Sequence, residues 1–587
     1  MSEPEKSIPG WERWLSRLVL LLLVALSVGA RTHNRADVFR SGDVYFIEGD
    51  CYSRMTRVKM VADGQLVIRH HDFENWPAGT TPHTTAPLDW IIAGMGFAFR
   101  PFSDGVPDRD LELAGAWISP LFGIATVLWL WWWAGRLRLP YRVLMIFFFA
   151  LSPILVHGTL LGRPDHQSMF VFLLAIAIGA ELALADSGMS ARRAKKWSLL
   201  AGLAWGLSLW TSLYEPAVCF AGAIVWHAIT GRMGLTAKAV RPRWIALGSV
   251  LLVALLIDGW RFSLPEPALR DRLVAWSRTI GELKMMSLFA EIPLVFWVPA
   301  PSKTPFHWFG MFWLSAPVLL VLARKMDRRS LSILGLLVVM FALTVWQRRW
   351  GYFSALAVAM SIPWQLGALR VQWLGWVAGF AAMIPVSLNW ADRLHPALET
   401  REAREEKREQ DRAVEQELRR IALLMRSAEK RPFLAVWWQS PQLAYWSGQP
   451  GIGGTSHQSF PGIFDSARFF LSDSENEGAG ILRERGVRYV IIHDLAVETD
   501  PRKYPAVINS ANILGADAPP EPIAFRLAES PRKTPPWLRF VTPKERGLVL
   551  ALGRKQGDEV LPTSMEFYVP QFFQLYEVQP EQFPKTP

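Results

Sequence analysis

The sequence predicts a polytopic helical membrane protein of about eleven spans followed by a soluble α/β domain. Three observations carry that expectation. The 587 residues are 51% hydrophobic with 29 Trp, and the mean hydropathy is +0.16, which moves the chain out of the soluble class. Hydrophobic runs of spanning length recur from Trp14 to Trp390 and then almost cease. The basic loops between those runs also agree on one topology, as argued next.

Taken in order, the runs place spans near residues 14–31, 111–134, 142–160, 168–186, 197–212, 216–230, 244–260, 308–323, 330–346, 351–367 and 372–390. With a cytoplasmic N-terminus, the loops "GRLRLPYR", "SARRAKKW", "GRMGLTAKAVRPR", "RKMDRR" and "LRVQ" all fall inside, as the positive-inside rule requires. The outer face receives residues 32–110, "GRPDHQ", "SLYEP", residues 261–307, "QRRWG" and everything after Trp390. The N-terminus, with Lys6, Arg13 and Arg17 ahead of "LVLLLLVALSVGA", also has the form of a signal peptide. An uncleaved first span is the favoured reading, because it anchors the orientation of the others. Trp clusters such as "LWLWWWAG" lie at span ends, where indole rings prefer the interface.

The net charge of +11 would fit a nucleic-acid binder, but Lys and Arg of the membrane part sit in short loops where they set topology. No nucleic-acid partner is expected. Cys51 and Cys219 lie in such different surroundings that a disulfide between them is not expected. Residues 1–390 thus form the membrane part, 391–430 a charged connector helix with a thin stripe of Val414, Leu418, Ile421 and Met425, and 431–587 a domain outside the cytoplasm. In that domain "RPFLAVWW", "VRYVIIHD", "GLVLALGR" and "EFYVPQFFQLYEV" read as strands, and "FDSARFFLS" and "EGAGILRERG" as helices.

Four outer-face segments carry candidate chemistry. "GDVYFIEGDCYSRMTRV" puts Glu48 and Asp50 two residues apart, just after the first span and ahead of Arg54, Arg57 and Lys59. A carboxylate at mid-membrane costs roughly 2.5–3.5 kcal/mol, so acids near hydrocarbon are solvated, paired or bound to a cation. A solvated loop and a site are both open for this segment. "LLGRPDHQSMF" offers Asp165, His166 and Gln167 at the start of a span, where Asp165 is either a ligand or a helix N-cap. "SRTIGELKMMSLFAEIP" offers Glu282 and, as runner-up, Glu291. "WQRRWGYFSALAVA" places Arg348 and Arg349 outside, against the positive-inside bias, where an Arg pair meets phosphates or lipid headgroups. Carboxylate oxygens suit a hard divalent cation such as Mg²⁺ or Mn²⁺, which stabilises a departing phosphate. The set points to glycosyl or phosphoryl transfer from a lipid-linked donor.

With these residues in place, the chain resembles the catalytic subunit of oligosaccharyltransferase, the single-chain bacterial and archaeal type of GT-C membrane glycosyltransferase. "EGDCYSRM" with Asp50 matches the family's first acidic motif, "GRPDHQ" its DxD-like motif, and "TIGE" ending at Glu282 its T-I-x-E motif. "RRWGYF" matches the Arg-aromatic element best at Arg349, and "VWWQ" the W-W-D motif at Trp437 and Trp438. The match runs over nearly the whole chain, with about two spans fewer than the family usually has. Two positions depart from the pattern: Gln167 stands at the third place of the DxD-like motif, and Gln439 where W-W-D has its Asp. A neutral ligand binds a cation more weakly, and the family's Asp helps hold the Ser or Thr of the acceptor sequon.

The resemblance implies a glycan transferred from a polyprenyl-(di)phosphate donor to an acceptor, protein first among them, at the outer face of the inner membrane. It implies a divalent cation, Mg²⁺ or Mn²⁺, held by Asp50, Asp165, Gln167 and Glu282. Asp50, Glu282 and Arg349 would be catalytic, and Trp437, Trp438 and Gln439 would bind the acceptor. An amide nitrogen is a poor nucleophile, since its conjugation gives peptide bonds a barrier of about 18–20 kcal/mol. Asp50 and Glu282, by accepting both N–H bonds, would weaken that conjugation; a hydroxyl acceptor would need only one carboxylate as base. Two alternatives stay open: a GT-C enzyme acting on lipid or polysaccharide, and a non-catalytic protein that binds lipid-linked glycan.

Overall fold

The computed structural model describes residues 10–82, 84, 86–103, 105–184, 189–229, 237–259, 267–286, 303–314, 328–369, 371–494, 500, 503–529, 534–542, 546–556, 559–568 and 572–584. The chain divides into two compact units. One comprises Met1–Ile68, His83–Phe262 and Ile280–Glu402; the other comprises Arg69–Pro82, Ser263–Thr279 and Ala403–Pro587.

The first unit is helical: α1 Gly10–Arg31, α2 Gly49–Ala62, α3 Leu88–Phe99, α4 Arg109–Arg136, α5 Arg142–Leu151, α6 Pro153–Gly158, α7 His166–Leu184, α8 Ala191–Thr211, α9 Tyr214–Ile229, α10 Ala237–Asp258, α11 Arg328–Trp346, α12 Gly351–Gly367 and α13 Gln372–Leu394. A small antiparallel ladder, β1 Phe39–Arg40 with β2 Asp43–Val44, precedes α2. Among the described residues four helices are long and apolar enough to cross a membrane: Trp11–Arg31, α4, α7 and α13. Residues 142–151, 214–225 and 335–346 are shorter apolar helices. This is a membrane protein. Helix α7 is apolar around its whole circumference, and Phe170, Leu174, Ala175, Ala177 and Ala180 are accordingly buried in the core of the bundle. Helix α1 instead leaves Trp11, Trp14, Leu18 and Leu22 exposed, the face a lipid-contacting span presents.

Two expectations about local structure change here. The run at residues 142–160 is not one helix: α5 ends at Leu151 and α6 begins at Pro153. The cause is Pro153, which has no N–H to donate and pushes Ser152 out of the helical region to ψ 117°. The stretch after Glu48 is not an open loop but the amphipathic α2, with Cys51, Tyr52, Met55 and Val58 fully buried. Of the span placed at residues 308–323, only residues up to 314 are described, as the short helical segments Lys303–Phe309 and Gly310–Leu314. Glu291 lies outside the described residues.

The second unit is reached through α14 Leu398–Leu424, whose Leu418 and Ile421, with Met425 just beyond, are buried while Val414 is half-buried. Its strands are β3 Phe433–Leu434, β4 Tyr489–His493, β5 Leu538–Phe540, β6 Arg546–Gln556, β7 Glu559–Tyr568 and β8 Phe573–Val578. They form a four-stranded sheet in the order β3-β4-β8-β5, parallel only between β3 and β4, and a separate hairpin of β6 and β7. Every residue of β4 is buried, as its unbroken apolar run requires. The run "EFYVPQFFQLYEV" is divided between β7 and β8, which belong to different sheets. Helices α15 Ser440–Ser447, α16 Phe460–Leu471, α17 Glu475–Glu484, α18 Pro505–Leu514 and α19 Ile523–Glu529 complete the unit. On α14, Glu417 accepts the backbone N–H groups of Phe572 and Phe573, at 2.9 and 3.1 Å, and so fixes the start of β8.

Two stretches from far upstream are built into this unit. Gly451 N donates to Phe73 O at 2.9 Å, Trp76 N donates to Gly451 O at 3.2 Å, and Arg485 Nη1 donates to Trp76 O at 3.0 Å. The short helix Arg270–Ser277 buries Trp276 edge-on against Trp437, with ring centroids 5.4 Å apart.

Candidate active site

In the first unit, acids from remote stretches of sequence meet around one arginine. Arg163 is fully buried, and its Nη2 lies 2.8 Å from Glu48 Oε1, 3.5 Å from Glu282 Oε1 and 3.9 Å from Asp165 Oδ2. Its Nη1 lies 3.0 Å from His157 Nε2, and the Tyr352 hydroxyl lies 2.9 Å from His157 Nδ1 and 3.4 Å from Glu282 Oε1.

Local chemistry explains each placement. Glu48 precedes the first turn of α2, and Asp50 stands exposed in that turn, where the helix dipole favours negative charge. The arginines of α2 turn away from these acids: Arg54 and Arg57 clasp buried Asp89 of α3, with Arg54 Nη1 2.6 Å from Oδ1. The Leu161–Gly162–Arg163 turn is held by its backbone. Leu161 N donates to Arg31 O, Gly162 N to Ala116 O, and Gly162 O accepts from Ile47 N. Asn34 Nδ2 donates to Leu161 O and Ser119 Oγ to Arg163 O. Glu282 sits on the turn Gly281–Leu283 and Arg349 on the turn Arg348–Trp350; Arg348 N donates to Lys284 O at 3.0 Å, which fastens the two turns together.

Asp165 has two different oxygens. Oδ1 accepts from the His166 backbone N at 2.6 Å and from His166 Nδ1 at 2.7 Å, capping α7. Oδ2 is buried and has no hydrogen-bond partner among the described residues, and the same holds for Gln167 Oε1. The two readings of Asp165, cap and ligand, therefore fall on separate atoms. Beyond His166 the network continues to Glu215 of α9, 4.0 Å from His166 Nε2, and Glu215 pairs with Arg349. Ser212 Oγ also donates to Glu215 Oε2 at 2.7 Å.

The crowding of charge moves the titrations. Burial pushes the Glu48 carboxyl up to about 8; Arg163 opposes this, and Asp165, Glu282 and Asp50 reinforce it. Burial also acts to raise Asp165, but His166, Arg163 and Arg54 outweigh it and hold the group well below the usual carboxylate range. Burial works against the charge of Arg163, yet Glu48, Tyr352, Asp165 and Glu282 keep it firmly protonated.

Of the sequence candidates, Asp165 and Glu282 are thus brought together, Asp50 adds its field from the rim, and Arg349 joins through Glu215 and His166. Gln167 is buried beside Asp165 in sequence with a free acceptor. Among the described residues no group of three or more His, Cys, Asp or Glu side chains is gathered closely enough to hold a metal ion. Trp437, Trp438 and Gln439 belong to the second unit. There Trp437 Nε1 donates to Asn509 Oδ1 at 2.8 Å, and Gln439 Nε2 lies 3.2 Å from His493 Nε2. Sequence reading missed Arg163, Glu215, His157 and Tyr352. Arg163 and Tyr352 lay inside the quoted motifs "GRPDHQ" and "RRWGYF", and Glu215 inside "SLYEP" on the expected outer face; His157 carried no signal apart from its span end.

No family model matches the chain. Over 192 residues it is 26% identical to dolichyl-phosphooligosaccharide-protein glycotransferase 1 of Archaeoglobus fulgidus, a stretch covering 32% of this chain and 29% of that relative, less than a third of its length. Among solved structures, it is similar to the archaeal oligosaccharyltransferase AglB from Archaeoglobus fulgidus in complex with an inhibitory peptide and a dolichol-phosphate. There the TM-score is 0.63 at 14% identity, over 90% of this chain and 74% of that one. It is also similar to the oligosaccharyltransferase of the same organism in complex with Zn and sulfate, with TM-score 0.59 at 15% identity, over 84% of this chain and 70% of that one. The chain has the fold of a GT-C membrane glycosyltransferase. Within that class it resembles the oligosaccharyltransferase catalytic subunit, the family its motifs pointed to.

Proposed function

We propose that this protein is a glycosyltransferase that moves a glycan from a polyprenyl-(di)phosphate donor to an acceptor at the outer face of the inner membrane, with the second unit outside the cytoplasm. The observation that carries the reading is the meeting of Glu48, Asp165 and Glu282 on Arg163, with Arg349 reached through Glu215. The fold likeness to AglB, a protein solved with a peptide and a dolichol-phosphate, supports both donor and acceptor classes.

Two oxygens present offer themselves to a divalent cation: buried Asp165 Oδ2 and Gln167 Oε1 are both without hydrogen-bond partners among the described residues, Glu282 is partly exposed at Arg163, and the charge of exposed Asp50 acts on the same cluster. Oxygen ligands of this kind favour Mg²⁺ or Mn²⁺, and the likeness to a Zn-bound oligosaccharyltransferase supports a divalent ion. Such an ion, when bound, would neutralise charge on the leaving phosphate. Asp165, Gln167, Asp50 and Glu282 would hold it. Glu282, with its carboxylate 38% exposed, and Asp50 are the groups placed to accept N–H or O–H bonds from an acceptor. Arg349 would supply positive charge for the donor phosphate.

The test is transfer from a labelled lipid-linked oligosaccharide by the full-length protein, with Mn²⁺, with Mg²⁺ and after chelation. Metal-dependent transfer is expected. Tight donor binding with no transfer to any peptide, lipid or glycan acceptor would instead favour the non-catalytic reading.

A further inference from the structure

Arg163 is the one cation within 4 Å of Glu48, Asp165 and Glu282 together among the described residues. Its guanidinium has no exposed surface, its Nη2 faces Glu48, Glu282 and Asp165, and the nearest of them is 2.8 Å away. The cation is also fixed in place. The carbonyl of Arg163 accepts from Ser119 Oγ, the preceding turn is pinned by Arg31, Asn34, Ala116 and Ile47, and Nη1 is held at His157. The guanidinium is therefore part of the framework rather than a side chain free to swing out.

We infer that Arg163 is a resident counter-cation of the acid cluster, which holds the site together without metal and sets a low affinity for the divalent ion. This rests on the proposed function above, and it concerns a residue outside the metal-ligand set. Asp165 Oδ2, the buried acceptor with no hydrogen bond, is 3.9 Å from Arg163 Nη2. A divalent ion on that oxygen has a fixed like charge close by, and like charge at such range disfavours occupancy. Gln167, neutral where a carboxylate would add charge, acts in the same direction. Both features weaken the metal, and both leave the acids satisfied when it is absent. Carboxylates crowded together without a counter-charge are costly, so a site lacking Arg163 would gain more stability from a bound metal.

The experiment measures Mn²⁺ binding directly, by electron paramagnetic resonance of free Mn²⁺ on the purified full-length protein in nanodiscs, with no donor present. Arg163→Met is expected to bind Mn²⁺ at least tenfold more tightly than wild type, and Arg163→Lys, which keeps the charge, within about threefold of it. Because Arg163→Met leaves the half-buried Glu48 without its partner, the comparison is repeated in a background that removes the imbalance. Arg163→Met combined with Glu48→Gln should bind Mn²⁺ more tightly than Glu48→Gln alone. Thermal unfolding with and without Mn²⁺ provides a second readout: the metal should raise the midpoint of Arg163→Met by several degrees more than that of wild type. Unchanged affinity on removing Arg163 in both backgrounds overturns the inference while leaving the transferase reading intact. Absence of Mn²⁺ binding in every variant overturns the metal assignment with it.

Discussion

Gln439 Nε2 lies 3.2 Å from Nε2 of His493, and both side chains are buried. A carboxamide N–H donates to a neutral imidazole nitrogen, so the pair is satisfied without charge. This is the position where the oligosaccharyltransferase pattern has an Asp. A carboxylate only accepts, and it demands a donor such as the sequon hydroxyl; a charged hydrogen bond is worth roughly 1.5–3 kcal/mol against about 0.5–1.5 for a neutral one. Hydroxyl selection should therefore be about tenfold weaker here, and Asn-x-Ser/Thr peptides should be poor acceptors. Transfer to matched peptides with and without the hydroxyl, by wild type and Gln439→Asp, measures it. Strong hydroxyl-dependent transfer by the unmodified protein would refute the reading.

His493 also gives the second unit a pH dependence. Burial pushes its imidazole down to about 4. The folded value lies below the ordinary one of about 6.5, so between those values the unfolded chain binds more protons. Stability is then fully present above about pH 6.5 and falls as the pH drops toward 4, with a slope of at most about 1.4 kcal/mol per pH unit. Denaturant unfolding followed by Trp fluorescence at pH 7.5, 6 and 5 should show the decline, and His493→Phe should flatten it. A wild-type midpoint constant over that range contradicts the assignment.

Arg349 is engaged by Glu215, whose carboxylate is only 4% exposed. Removing one member of a buried pair typically costs 3–5 kcal/mol because the other charge is left uncompensated. Arg349→Ala should lower stability on that scale and weaken donor binding, whereas Glu215→Gln should lower stability less and keep donor binding, since the cation survives. Donor affinity measured on both variants separates phosphate binding from a purely structural pair; equal loss of affinity in the two would assign Arg349 to structure.

Much of this was legible in the sequence. Hydrophobic periodicity gave the helical bundle, and "EGD", "PDHQ", "TIGE" and "RRW" marked segments whose residues the fold links into one network. What was not legible depended on tertiary partners. Arg54 and Arg57 looked like neighbours of the Glu48 pair, but Asp89, far off in sequence, takes them. Glu215 reads as one acid in a short loop, and only the packing of α9 beside the Arg348–Trp350 turn gives it a role. The break at Pro153 was hidden because apolar residues continue on both sides of it. Likewise, nothing local indicates that residues 69–82 and 263–279 pack with the C-terminal unit.

Gly162 should be intolerant of any side chain. Its φ is +76°, in the left-handed region, and an added Cβ would lie 2.7 Å from Val38 Cγ2. With N–H and C=O both bonded to other elements, the turn has no room to relax, so Gly162→Ala should cost about 1–3 kcal/mol and displace Arg163. Thermal unfolding and transfer should fall together; wild-type behaviour in both would show that Val38 yields.

Asp50 and Asp165 should fail in different ways when replaced, although both are assigned to the same ion. Asp50 is exposed in the first turn of α2, and it contributes its charge to the cluster. Asp165 is 3% exposed, and Oδ1 caps α7 while bonding His166, which in turn faces Glu215. Asp50→Ala should therefore abolish metal-dependent transfer, the Lewis-acid contribution being several kcal/mol, with little change in the unfolding midpoint. Asp165→Ala should abolish transfer and also destabilise, by about 1–2 kcal/mol for the lost cap alone, and more because His166 loses its partner. Asp165→Asn keeps the cap acceptor and should recover part of the stability but none of the transfer. Gln167→Asp, which adds a charged oxygen, should tighten Mn²⁺ binding. Full activity in Asp50→Ala would remove Asp50 from the site and leave the buried Asp165 and Gln167 oxygens, with Glu282, as the remaining ligands.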